Sequence, residues 1–316
     1  MSVTRRGFLA IAGCAAAGAR LGAQNRAYTL EPGSNGRVLK DPAGRVVLAY
    51  LTSKPEGLAG NSACCIHPLN TMAGERVTDL APSDHKDHRG LFFAWHNAEF
   101  RKGDNVLKGD FWGWGRYAPV EERVIVNKDV RLVRADSRSA ELSVTNHWMI
   151  GQQAVMTESS TIGVSDDRSA RIVDLSYRFT SDYDVTVNQM AFTGVCFRCR
   201  KDGPYTFFDP NGEVMLPNSS ATDPASDWPS QPWYSHQVTL PDGKILSSAL
   251  IDHPTNPRSM WHGARGVSFL NPCISAPGAV QIPAGKTLAL RYRAVAFDGP
   301  FPAGMLDQMA AAWRAK

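Results

Sequence analysis

From residue 45 onward the chain repeats one unit, a short run of apolar or β-branched residues closed by a turn pair. Runs at residues 45–51, 123–126, 140–149, 154–164, 171–180, 185–190, 267–270 and 288–297 all have this form. The intervening Asp202-Gly203, Asn211-Gly212, Asp242-Gly243 and Asp298-Gly299 suit the positive φ of tight turns. Nothing alternates strand with helix, and no glycine-rich loop joins the two, which excludes nucleotide-binding α/β folds. The spacing predicts an all-β protein.

Side chains in a strand point alternately to opposite faces. In 171–180 this puts Val173, Leu175, Tyr177 and Phe179 on one face and Asp174, Ser176 and Arg178 on the other. Likewise Leu142, Val144 and Trp148 oppose Ser143, Thr145 and His147. One face is core and one is wet, as in a large antiparallel two-sheet sandwich with a polar concave face. After Pro302, Met305, Leu306, Met309 and Trp313 fall at helical spacing, which predicts a C-terminal helix capping a sheet edge or one end. Residues 58–90 and 217–232 read as long loops, the kind of segment that often carries function.

A chain of 316 residues, 43% hydrophobic and 20% charged, can bury a sizeable core and is not disordered. We expect one domain over residues 24–316. The formal charge is +4, but the first 23 residues hold Arg5, Arg6 and Arg20 and no acid, and the remainder is close to neutral. That balance leaves no footprint for nucleic acid. Thr4-Arg5-Arg6-Gly7-Phe8-Leu9, followed by small and apolar residues to Ala23, reads as a twin-arginine export signal over 1–23. Its apolar run is shorter than the ~20 residues that span a bilayer. The expected location is the periplasm or another exported compartment, with lipidation at Cys14 as an alternative because Ile11-Ala12-Gly13-Cys14 resembles a lipoprotein box. Beyond the signal, Cys64, Cys65, Cys196, Cys199 and Cys273 are odd in number, which rules out a complete disulfide framework and points to buried structural thiols.

Two loops concentrate groups able to move protons. In Asp84-His85-Lys86-Asp87-His88-Arg89-Gly90, two histidines three apart stand beside acids, ahead of the buried-strand run Leu91-Phe92-Phe93-Ala94-Trp95-His96. They can act as acid and base, as metal ligands or as clamps on a polar molecule. In Asp252-His253-Pro254-Thr255-Asn256-Pro257-Arg258, followed by Trp261-His262, two prolines stiffen the loop and preorganise its polar groups. Trp95, Phe111, Trp112, Trp114, Trp228, Trp233, Tyr234 and Trp261 cluster near these loops. An indole pairs a flat apolar face with a polar edge, which suits a sugar ring. Glu158, Asp174 and Arg293 sit within strands among apolar neighbours, where a charge needs a partner such as an Arg or His for Glu158.

The order of these pieces resembles a bacterial family usually labelled PmoA-like, or simply a domain of unknown function. The similar segments are His67-Pro68-Leu69, the stretch from Asp84-His85 to Trp95, Gly194-Val195-Cys196-Phe197-Arg198, Asp252 through Arg258, and Leu290-Arg291-Tyr292-Arg293 with Asp298-Gly299. Together they span roughly residues 50–300. In such a family the first motif reads Asp-His-Pro-His-His-Arg-Gly, whereas Lys86 and Asp87 stand here in place of the Pro and the middle His. A three-histidine metal site is therefore not carried over. The copper-oxygenase sense of the label is also set aside, because no apolar run of the mature chain approaches a transmembrane length. The resemblance implies an exported sandwich similar to the mutarotase-like supersandwiches, in which histidines and a carboxylate act on a sugar's anomeric oxygen or ring without a redox cofactor.

The resulting expectation is a carbohydrate-active enzyme, a hydrolase, lyase or epimerase-like protein acting on a glycoside or sugar ring. Candidate catalytic residues are His85, His88, His147, Glu158 and His253. Candidate substrate-binding residues are Arg89, Trp95, Arg198, Trp233, Asn256, Arg258 and Trp261. No cofactor is expected. The alternatives are a noncatalytic carbohydrate-binding protein using the same aromatics, and a divalent-metal enzyme whose ligands include His85 and His88.

Overall fold

A computed structural model describes residues 27–167, 169–216, 220–264 and 266–315. The predicted signal 1–23, with Cys14, lies outside the described residues. The architecture is the expected all-β one: a large antiparallel sandwich with one C-terminal helix.

One sheet has eight strands, in the order Thr29–Gly33, Gly36–Lys40, Val46–Leu51, Cys65–Leu69, Leu91–Ala94, Gly194–Arg198, Val267–Cys273 and Met260–Ala264. The other has nine, in the order Gly212–Val214, Tyr205–Asp209, Trp233–Thr239, Ile245–Asp252, Thr287–Asp298, Ala170–Thr180, Gln153–Asp167, Ser139–Ile150 and Arg123–Ala135. A third, four-stranded sheet orders Val280–Ile282, Asp184–Val187, Ala98–Lys102 and Asn105–Gly109. Of this small sheet only Asp184–Val187 was legible in the sequence, within the run 185–190, because the other strands are three to five residues long and carry mixed polarity. Residues 58–90 are not wholly loop either, since Cys65–Leu69 joins the eight-stranded sheet.

The two large sheets meet through an aromatic core. Phe93 packs 4.7 Å from Phe179, and Trp95 lies 5.3 Å from Trp148 and 4.8 Å from Phe179, all as ring-centroid distances in tilted geometry. The alternation read in 171–180 holds: Tyr177 and Phe179 point into this core while Asp174 does not. Asp174 instead pairs with Arg293 directly across the neighbouring strand, at 2.6 and 2.8 Å. All five described cysteines are buried and free.

The helix Met305–Arg314 was expected at an edge or end. It lies instead against the outer face of the nine-stranded sheet, where Met305, Leu306, Met309 and Trp313 cover Ile172, Trp233, Ala249, Ile251, Val295 and Phe297. Those residues are apolar on both sides of their strands, so the sheet needs a second cover there and the amphipathic helix supplies it. Among the described residues, no helix is long and apolar enough to cross a membrane.

Candidate functional site

Because Phe93 faces the nine-stranded sheet, Phe92 must point the other way. The register extends this outward face across the sheet: Cys196 pairs with Phe92, Arg198 with Phe269, and Asn271 with His262. Above this end of the eight-stranded sheet the chain builds a cavity of about 120 Å³. Its lining comprises His85, Asp87, His88, Trp112, Trp114, Phe192, Ala221, His262, Ala264, Val267 and Phe269.

Three local devices hold the walls. Gly90 adopts φ +64°, and a Cβ there would run into the Ile66 carbonyl, so the turn that delivers His88 to the sheet needs glycine. Asp110 accepts the backbone N–H of Trp112 and Gly113 at 2.8 Å and of Gly115 at 2.7 Å, which curls Trp112-Gly113-Trp114-Gly115 over the cavity. Arg89, fully buried, donates to the carbonyls of Asp87, Phe111 and Trp112 at 3.2–3.3 Å and lies 4.3 Å over the Phe92 ring.

His88 is buried, with its ring centroid 5.8 Å from Trp112, 5.7 Å from Phe269 and 4.7 Å from His85. Its Nδ1 has no hydrogen-bond partner among the described residues. Burial, reinforced by the nearby Arg198 charge, holds His88 well below the ordinary histidine value, so it is neutral at neutral pH. His85 sits at the mouth with its side chain 41% exposed. Asp87 has its carboxyl pushed up by burial.

Opposite them is His262, on the strand Met260–Ala264. Its Nδ1 lies 2.6 Å from Oδ1 of Asp227, and both side chains are buried. The pair fixes the ring's orientation and leaves Nε2 as the free nitrogen of a residue that lines the cavity. Burial raises the Asp227 carboxyl, with His262 opposing the shift. Phe192 lies between the groups, 5.3 Å from His262, 5.3 Å from Trp112 and 5.1 Å from Trp114. Sequence reasoning noted His262 only as the residue after Trp261, and it passed over Asp227 inside the loop 217–232.

Of the residues predicted for catalysis, the structure brings only His85 and His88 into this cavity. His147 is half-buried on the opposite face of its strand from Asn146 and Trp148. Glu158 is buried between the sheets, where its carboxylate accepts from Asn146 Nδ2 and Trp148 Nε1, each at 3.0 Å. These amide and indole donors replace the charged partner expected for it. Burial raises Glu158 to about 7 despite both bonds. His253 lines a separate open cavity of about 370 Å³, with Nδ1 2.7 Å from Thr255 Oγ1 and Nε2 3.2 Å from Arg291 Nη1.

The predicted binding residues are placed mostly as scaffold. Arg89 binds main-chain carbonyls, as above. Trp95 and Trp261 are fully buried and offer no face to a ligand; Trp261 Nε1 donates to the Gln231 carbonyl at 3.2 Å. Arg198, also fully buried, donates from Nη2 to both oxygens of Asp84 at 2.8 Å. Although burial works the other way, hydrogen bonds from Lys201 and Arg198 hold the Asp84 carboxyl well below the usual range. Asn256 Nδ2 is spent on Asp252 Oδ1 at 2.6 Å and the Arg291 carbonyl at 2.7 Å, closing the 252–259 loop on itself. Arg258 is exposed at the 370 Å³ cavity, and Trp233 lies under the helix on the other sheet. Among the described residues, no group of three or more His, Cys, Asp or Glu side chains is arranged to hold a metal ion.

A family model described as a family of unknown function (DUF6807) matches residues 40–312. No curated protein matches the sequence. Among solved structures, the chain is similar to a galactose mutarotase related enzyme from Lactobacillus acidophilus, at 7% identity and TM-score 0.41, covering 87% of this chain and 99% of that one. It is also similar to a GalM/aldose epimerase homologue from C. elegans, at 6% identity and TM-score 0.39, covering 86% and 99%. A third similarity is to the GH36 α-galactosidase AgaA from Geobacillus stearothermophilus, at 6% identity and TM-score 0.38, covering 86% of this chain and 41% of that one.

Proposed function

The chain belongs to DUF6807, a family of unknown function, and from that premise we propose that it is an exported carbohydrate-active enzyme. Its reaction moves protons between oxygen atoms of a sugar ring in the cavity of His85, His88 and His262. The observation that carries this reading is the Asp227–His262 pair, at 2.6 Å, in an aromatic-walled cavity that also holds a neutral histidine.

A histidine oriented through Nδ1 by a carboxylate presents Nε2 as a proton acceptor and, once charged, as a donor. His262 takes the proton of the anomeric hydroxyl as the bond from C1 to the ring oxygen breaks, and the ring oxygen, hydrogen-bonded by neutral His88, takes a proton from a water at the mouth. Reversal of the two transfers closes the ring. Trp114 and Trp112 give flat apolar walls for the C–H face. The cavity volume, about 120 Å³, is well below the ~300–1,000 Å³ of drug-sized ligand pockets, and suits one ring rather than a chain. Ring isomerisation or elimination is favoured over hydrolysis. Glycoside hydrolysis ordinarily sets two carboxyl groups across the scissile bond, and here Asp87 is the one carboxylate lining the cavity among the described residues, Asp227 being engaged by His262.

The test is polarimetry of freshly dissolved α-D-glucose and α-D-galactose with the purified protein, alongside product analysis of aryl glycosides. We expect faster equilibration than buffer, reduced about 100-fold or more in His262→Ala, and reduced far more by His88→Ala than by His85→Ala. No rate above buffer and no product, with the sugars still perturbing Trp112 and Trp114, would assign the cavity to binding without catalysis.

A further inference from the structure

A cavity of about 510 Å³ lies on the outer face of the nine-stranded sheet, beside the N-terminal end of the helix. It is separated from the histidine cavity by the full thickness of the sandwich, because the two lie on opposite outer faces. Its existence follows from a mismatch between a ten-residue helix and a wider sheet. Along the strand Trp233–Thr239, alternate residues Trp233, Ser235 and Gln237 face outward, paired with Ile251, Ala249 and Ser247 on the next strand. Where the pair is Trp233 and Ile251, the helix covers it. Further along, at Ser235, Gln237 and Ser247, the sheet face turns polar and the cover ends.

The floor is polar. Ser247 Oγ donates to the Gly299 carbonyl at 2.7 Å, while Ser235 and Gln237 present a hydroxyl and an amide to the same space. A hydroxyl and an amide that open on a cavity can each donate to a ligand and accept from it. The rim adds acceptors. Asp307 uses Oδ1 to accept from Trp233 Nε1 at 2.9 Å, and Asp209 closes the opposite wall. Phe208 and Phe301 supply flat apolar faces, and among the described residues no Lys, Arg or His lines the space.

The geometry points to a second, noncatalytic saccharide site here, sized for a neutral disaccharide. The absence of a cation from the lining disfavours phosphates and sugar acids, since nothing there neutralises an anion. Both carboxylates already accept hydrogen bonds, and the floor adds a hydroxyl and an amide, each donor and acceptor at once. Sugar hydroxyls have that same dual character, whereas an ammonium ion only donates. The volume lies within the range of small-molecule sites, roughly 300–1,000 Å³.

The test is a titration of the ¹⁵N-labelled protein with maltose, cellobiose and lactose, followed by ¹H–¹⁵N correlation spectra. The Trp233 indole resonance is assigned by its loss in Trp233→Phe. We expect one of the disaccharides to shift it saturably. Gln237→Leu, which keeps the shape and removes the hydrogen bonds, weakens that effect about tenfold and leaves the Trp112 and Trp114 resonances and any sugar-ring activity unchanged. Silence at Trp233 with all three sugars, an unchanged affinity in Gln237→Leu, or a response to tetramethylammonium alone would overturn the assignment. Sugars that move Trp112 and Trp114 but not Trp233 would overturn this site and leave the histidine cavity standing; the reverse pattern would do the opposite.

Discussion

His262 Nδ1 and Asp227 Oδ1 stand 2.6 Å apart although two whole strands separate them in the chain. The carboxylate reaches the histidine because the backbone of Trp228 pairs with that of Trp261, one residue from each partner. Asp227 thereby acts as a positioning residue. Asp227→Asn keeps the shape and changes which ring nitrogen carries the proton. Sugar-ring turnover should fall by about 10²–10⁴-fold with KM changed less than the rate. ¹⁵N spectra of the His262 ring should show the other tautomer. Equal losses in rate and affinity with an unchanged tautomer would reduce Asp227 to a packing role.

Trp95 and Trp114 should separate stability from binding. Trp95→Ala empties a site enclosed by Trp148, Phe93 and Phe179, and should cost about 3–5 kcal/mol in urea denaturation. Trp114→Ala, at the partly open wall, should leave the urea midpoint nearly unmoved and weaken sugar binding several-fold.

Asp110 is the anchor of the tryptophan loop. Asp110→Ala strands three backbone N–H groups, a loss of about 1–3 kcal/mol, and should abolish the response of Trp112 and Trp114 to sugars. Retained binding in this variant would show that the loop is held by its own packing.

Glu158 should give the protein a distinctive pH dependence. Its folded value is raised from 4.5 to about 7. Between those values the folded state keeps a proton that the unfolded chain has released. Stability contributed by this group therefore falls as pH rises through that window and is level above it, by about 3 kcal/mol in all. Buried His236, lowered to about 3, works in the opposite sense, since its contribution is lost as pH falls below about 6.5. The quantity to measure is thus the difference between the native protein and Glu158→Gln across pH 5–8. A difference that does not vary with pH would mean that Glu158 titrates normally.

The sandwich was legible because strands such as Ala170–Thr180 bury one face and wet the other, and that contrast is written in single residues. Of the small sheet only Asp184–Val187 was, because the other short strands gain their apolar surroundings from neighbours distant in sequence. At the site, His85 and His88 announced themselves through local spacing. His262 is set on the outward face by its register with Asn271, and Asp227 meets it through a loop closure, so neither is visible along the chain. The alternation rule applied to Trp261 and His262 was the one available signal: opposite faces mean that a buried tryptophan implies an outward histidine. The indoles misled in the other direction, since Trp95 and Trp261 have the same composition as a binding wall and differ only in what covers them.

The hydrogen bonds by which Arg89 holds the cavity go to main-chain carbonyls, those of Asp87, Phe111 and Trp112. A carbonyl is the same atom whatever side chain it carries. The frame is consequently decoupled from part of its contents: position 87 is open to mutational drift that retunes ligand preference, while buried Trp112 is not, and the guanidinium beneath them is not replaceable even by lysine, whose single ammonium lacks the planar fork. Ligand preference in this scaffold can therefore diversify by point substitution without rebuilding the loops that frame it.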